Sequence, residues 1–129
     1  MIKIGLNIGN RVFSESVMMI LQQTGDFKPV YIPYETSEKF ITECVALSPD
    51  ILLLDVRPVP ETATLKNRIG IMKKIRKTVP RCKMVLLCDE TAFPELAEEV
   101  MRAKQTGSVD AFFYASVTAE YLVAALLSL

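Results

Sequence analysis

Histidine is absent from this 129-residue chain, and so is tryptophan. Without an imidazole there is no Ser–His or Cys–His nucleophile pair, no histidine general base and no histidine metal ligand. Any catalysis would rest on carboxylate, lysine or cysteine chemistry. Cysteine is scarce as well. Cys44, Cys82 and Cys88 are odd in number and none forms a CxxC spacing, which argues against a disulfide framework or a zinc site. Neither sign of charge is in excess, since fifteen Lys and Arg balance fifteen Asp and Glu. A neutral surface offers nucleic acid or an anionic membrane no broad electrostatic footprint, so direct nucleic-acid binding is not expected. Long apolar runs are missing too: nothing approaches the roughly 18 residues of a membrane helix. Met1–Asn10, broken by Gly5, Asn7 and Gly9, does not read as a signal peptide. A cytoplasmic protein without membrane contact is the expectation.

What is present is an ordinary globular composition, 50% apolar and 23% charged, with enough chain for one core. No composition shift, internal repeat or low-complexity segment divides it, so residues 1–129 read as one domain. Short apolar runs alternate with helical patterns throughout. Ile2–Ile8 reads as a strand. Asn10 can cap a helix to Thr24, with Phe13, Val17, Ile20, Leu21 and Thr24 on one stripe and Gly25 as its stop. Lys28–Pro33 reads as a second strand whose prolines suit a sheet edge. Thr36 or Ser37 opens a helix through Leu47. Ile51–Leu54, four consecutive apolar residues ending on Asp55, fit a central parallel strand buried on both faces.

Residues 57–66 read as a Pro- and Thr-rich loop, followed by a helix over Asn67–Val79 with Ile69, Met72, Ile75 and Val79 inward. Lys83–Leu87 is a fourth strand. Pro94 suits a first helical position, with Glu95, Glu98 and Glu99 near its positive end, and that helix runs to Gly107. Ala111–Tyr114 is a fifth strand and Thr118–Leu129 a last helix. Five strand–helix units with short links imply an α/β parallel sheet wound on both faces. In such folds the functional rim lies outside the carboxyl ends of the strands. Here that rim gathers Asn7–Gly9, Asp55, Cys88–Glu90 and Ala115-Ser116.

The run Pro49-Asp50-Ile51-Leu52-Leu53-Leu54-Asp55 resembles the third strand of response-regulator receiver domains. Gly107-Ser108-Val109-Asp110-Ala111-Phe112-Phe113 resembles that family's turn into its fifth strand, and the element order agrees along the whole chain. The resemblance implies the flavodoxin-like, CheY-like (βα)5 fold with strand order 2-1-3-4-5. It implies that Asp55 is the phosphoacceptor position. The pair of acids that holds Mg²⁺ in the family falls near Asn7-Ile8 or Ile8-Gly9, where no acid stands. The family's Ser or Thr after the fourth strand is Cys88 here, and its lysine after the fifth strand falls near Ala115. Phosphoryl transfer to a carboxylate needs a cation and positioned donors, so a chain lacking them is expected to be phosphorylated poorly and to need no cofactor, Mg²⁺ included.

The resulting expectation is an atypical receiver of two-component-type signalling, non-enzymatic, that acts by protein contact. The last helix is apolar nearly all round, which suits a second buried face. Phe112, Tyr114, Tyr121, Leu122 and Leu126 are the expected contact residues. The family's pairing surface of fourth helix, fifth strand and fifth helix implies a homodimer or a partner protein there. By analogy with the family, a DNA-binding effector domain would follow Leu129, as in transcription regulators. Two alternatives stand beside this reading. Asp55 still accepts a phosphoryl group with an unconventional metal arrangement, for which Asp89 and Glu90 would supply carboxylates. Or the turn Asn7–Asn10 serves a flavodoxin-like small-ligand site. For Cys88 and Cys44 the plain reading is small apolar core residues, and for Lys73–Lys77 a solvated helix face.

Overall fold

The computed structural model describes residues 1–129. Its elements follow one another as β1 (Ile2–Asn7), α1 (Arg11–Thr24), β2 (Phe27–Tyr31), α2 (Ser37–Leu47), β3 (Ile51–Val56), α3 (Leu65–Thr78), β4 (Lys83–Cys88), α4 (Pro94–Gln105), β5 (Ala111–Tyr114) and α5 (Ala119–Leu127). The strands form one five-stranded sheet in the order β2-β1-β3-β4-β5, and every neighbouring pair is parallel. This is the architecture and strand order expected from the sequence.

Alternation along the strands divides the core in two. Leu52 and Leu54 of β3, with Met84 and Leu86 of β4, face Phe40 and Cys44 of α2, Met72 and Ile75 of α3 and Val100 of α4. Ile51, Leu53, Val85 and Leu87 face Val17 and Leu21 of α1 and Leu122 and Leu126 of α5. All six residues of β3 are buried, which is why the run between Asp50 and Asp55 is apolar without a break. Each fully buried Leu or Ile contributes about 1.5–3 kcal/mol. At Gly5 in β1 the core packs close on the strand backbone: a Cβ there would stand 2.8 Å from the Ile32 side chain.

Polar side chains mark the ends of the elements. Asn10 accepts from the Phe13 N–H to cap α1, and Gly25 closes it at φ 75°. Thr36, Thr64 and Thr118 cap α2, α3 and α5 in the same way. At the amino ends of the strands, Asp50 accepts from the Lys3 N–H at 2.8 Å and Asp110 from the Met84 N–H at 2.7 Å. Both acids satisfy backbone donors that the ladder leaves open.

Several bounds differ from the sequence expectation. β2 begins at Phe27 and ends at Tyr31, and Pro29 lies inside it; the strand is an outer one, where a missing N–H costs no ladder bond. The loop after β3 contains a 3-10 turn at Glu61–Ala63, and α3 starts at Leu65 because Thr64 provides the cap. The larger correction concerns α5. Leu122 and Leu126 are buried against the sheet, so they are core residues and not contact residues. Tyr121 and Leu127 are the large side chains that α5 exposes.

Candidate functional site

Asn7 ends β1, and its register partner on β3 is Leu54, the residue before Asp55. The two polar side chains therefore reach the same rim. Neither lies open to solvent: Asn7 is 6% and Asp55 7% exposed. The space between them is filled by Arg68, which is 1% exposed. Arg68 lies in the first turn of α3, and Ile71, Met72 and Ile75 follow it at i+3, i+4 and i+7. It thus occupies the helix stripe that packs on the sheet.

The guanidinium is held from several sides. Its Nε donates to the Asp55 carbonyl at 2.9 Å, and Nη2 donates to Asp55 Oδ1 at 3.0 Å and to Asn7 Oδ1 at 2.8 Å. Asn7 Nδ2 donates in turn to the Ile32 carbonyl at 2.8 Å. That bond sets the amide so that its oxygen, not its nitrogen, meets the arginine. The second carboxylate oxygen, Asp55 Oδ2, accepts from the Gly9 N–H at 3.0 Å and lies 2.9 Å from Arg57 Nε. The Arg57 contact is one of charge only, since the buried Nε makes no hydrogen bond. Burial pulls the Arg68 guanidinium below its ordinary value, and Asp55 pulls the other way by charge and hydrogen bond. It remains a cation at any physiological pH.

The arrangement is closed. Both oxygens of the one carboxylate are engaged, and two guanidinium groups face a single negative charge. Mg²⁺ takes near-octahedral oxygen ligation, normally with one or two carboxylates. Here the neutral Asn7 oxygen is already bonded, a guanidinium stands where a dication would repel it, and no group of three or more Asp, Glu, Cys or His gathers anywhere in the chain. The residues present do not fit the ion.

The other candidate residues are not drawn into this cluster. Ile8 is packed among the side chains under α1 and α5. Cys88 is buried on the opposite face of the sheet, and burial, then the nearby acids, push its thiol up to about 11. Ala115 is half-buried, and its N–H donates to the Cys88 carbonyl at 2.9 Å. Asp89 accepts from the N–H groups of Thr91 and Ala92, and Glu90 accepts from the Ser116 hydroxyl at 2.8 Å. Their carboxylates shape the β4–α4 turn and do not reach for Asp55. The turn Asn7–Asn10 has likewise committed its polar groups, Gly9 to Asp55 and Asn10 to the α1 cap. Phe112 and Tyr114, both half-buried on β5, stack edge to face on each other, and Tyr121 meets Phe113 edge-on.

The residues that sequence reasoning missed are Arg57 and Arg68. A signal for Arg68 existed, because an arginine on an apolar stripe must find a buried anion or leave the core. Arg57 carried no such mark.

No protein-family model and no curated protein sequence matches the chain. Solved structures do. The regulatory domain of the repressor of iron transport regulator RitR, in its inactive form, superposes with a TM-score of 0.73 at 19% identity, over 99% of this chain and 94% of that one. Vibrio cholerae chemotaxis protein CheY4 gives 0.73 at 15% identity, over 99% and 98%. RcsB from Salmonella enterica serovar Typhimurium gives 0.72 at 14% identity, over 98% and 97%; that structure is bound to a promoter in the presence of the phosphomimetic BeF3⁻. Strand order, helix placement and these likenesses together show that the chain has the CheY-like fold of response-regulator receiver domains.

Proposed function

We propose that residues 1–129 form one receiver-type module of two-component-type signalling that works by protein contact and not by phosphoryl transfer. The observation that carries this reading is the double engagement of Asp55, with Oδ1 on Arg68 and Oδ2 on the Gly9 N–H. A carboxylate attacks phosphorus through a free oxygen, with a cation and donors arranged around the transferred group. Here the donors already hold the nucleophile, and the position of the family's lysine is taken by Ala115. The module is a regulatory part and not an enzyme, and a DNA-binding effector beyond Leu129 is the natural output for it; in a second RcsB structure, a complex with DNA, the part that matches this chain makes up only 59% of that chain. Contact through α4, β5 and α5, with a second copy or another chain, is supported by Met101 and Tyr121, both large and exposed, the latter at 63%. The neutral chain, in which no helix is long and apolar enough to cross a membrane, accords with action in the cytoplasm.

The test is an amide NMR titration with Mg²⁺ followed by beryllofluoride. The expected spectrum is unchanged around Asp55, Cys88 and Ala115. Saturable shifts there would replace this reading by a receiver that is still phosphorylated on Asp55.

A further inference from the structure

A cleft of about 830 Å³ lies between α3 and the amino-terminal half of α4. It does not coincide with the Asp55 cluster, yet Arg57 belongs to both. The floor is apolar: Leu65, Ile69, Phe93 and Leu96 are all left half-buried. The walls are charged, and oppositely. Lys66 on α3 and Arg57 line the cleft with positive charge, while Glu95 and Glu99 stand one turn apart on the α4 side. The ion pairs of this chain lie elsewhere or, for Arg57, end on Asp55; Lys66, Glu95 and Glu99 have none. The amino end of α4 is also uncapped, since Phe93 offers no side-chain acceptor.

We infer that this cleft docks an amphipathic helical segment of a partner protein, with lysine or arginine facing Glu95 and Glu99 and a carboxylate facing Arg57 and Lys66. The inference rests on the reading of the chain as a contact module and names the kind of partner. Leu65 and Ile69 on one side and Phe93 and Leu96 on the other each span about one helical turn, which matches the side chains that a helix laid in a groove inserts at i and i+3 or i+4. The charges decide what flanks that strip. A purely acidic segment would meet Glu95 and Glu99, a purely basic one would meet Arg57 and Lys66, and a membrane surface would not enter a cleft between two helices. An acceptor brought to the partly exposed Arg57 side chain would engage a cation whose Nε lies 2.9 Å from Asp55 Oδ2. The partner would thereby reach Asp55 through one side chain, with no change in phosphorylation.

The probe is a synthetic amphipathic helix with leucines at i, i+3, i+4 and i+7, lysines along one flank and glutamates along the other, titrated into the full chain by amide NMR. Saturable shifts at Ile69, Leu96 and Arg57 are expected. The double variant E95K/E99K should weaken binding about tenfold, as two exposed ion pairs at the upper end of their usual worth would. A peptide with glutamates in place of its lysines should recover that loss on the variant and bind the unaltered chain poorly. No saturable shift at millimolar peptide, shifts confined to Tyr121 and its surroundings, or equal binding of both peptides to both proteins would each overturn the proposal. The beryllofluoride titration separates the two readings: a response at Asp55 would remove the phosphorylation-independent function while the peptide shifts stand by themselves.

Discussion

Arg68→Met is the substitution that bears most directly on the closed cluster. Methionine keeps much of the apolar length of the side chain, so contacts with the stripe of Ile71, Met72 and Ile75 are largely retained. What is lost is the charge and its hydrogen bonds to Asp55 and Asn7. Removing one member of a buried ion pair costs about 3–5 kcal/mol, because the partner stays buried without compensation. Here Oδ2 of Asp55 keeps the Gly9 N–H and the charge of Arg57, which places the loss at the lower end. Asn7 Oδ1 loses its donor as well, and the total comes to about 3–4 kcal/mol. For a chain of this size that is a fall in Tm of roughly 10–15 °C. Urea unfolding followed by circular dichroism measures it. Asp55→Asn should also destabilise, since it strands the guanidinium. The double variant R68M/D55N buries neither charge, so its loss should be less than the sum of the single losses by about 2 kcal/mol. A loss below about 1 kcal/mol for Arg68→Met, or losses that add within about 0.5 kcal/mol, would refute the assignment of Arg68 as the counter-ion of Asp55.

Two further outcomes follow from the same geometry. A Cβ at Gly9 would collide with the Arg57 guanidinium, so Gly9→Ala should push that flexible group off Asp55; because Arg57 is partly exposed, the cost should stay below about 1 kcal/mol, and a larger loss in the same unfolding assay would mean that the backbone had moved instead. Burial pushes Cys44 and Cys82 up to about 12 and Cys88 to about 11, from 9.0. A raised folded-state pKa means that the native chain holds its protons where the unfolded chain has lost them, so this share of stability is full below pH 9 and is lost as pH rises toward 11 and 12. All three thiols should therefore resist a thiol reagent at pH 8 and react only on unfolding; rapid native labelling of any of them would contradict the burial.

The sequence by itself determined the alternation of strands and helices, the burial of β3 on both faces and the arrival of Asp55 at the carboxyl rim. These follow from local periodicity: a continuous apolar run has one solution in a parallel sheet, and a stripe at helical spacing has one inward face. It also marked what was missing at Asn7, Ile8, Cys88 and Ala115. Tertiary structure alone decided what replaced it. Arg68 meets Asn7 across 61 residues of chain and Asp55 across 13. Helical spacing puts Arg68 on the inward side, but only the packing of α3 over the end of β1 decides which anion it finds there. The contact residues divide in the same way. A helix apolar nearly all round, as α5 is, carries no period to say which side faces the sheet, so Leu122 and Leu126 could not be told from Tyr121 until the packing against β5 and α1 placed the leucines in the core.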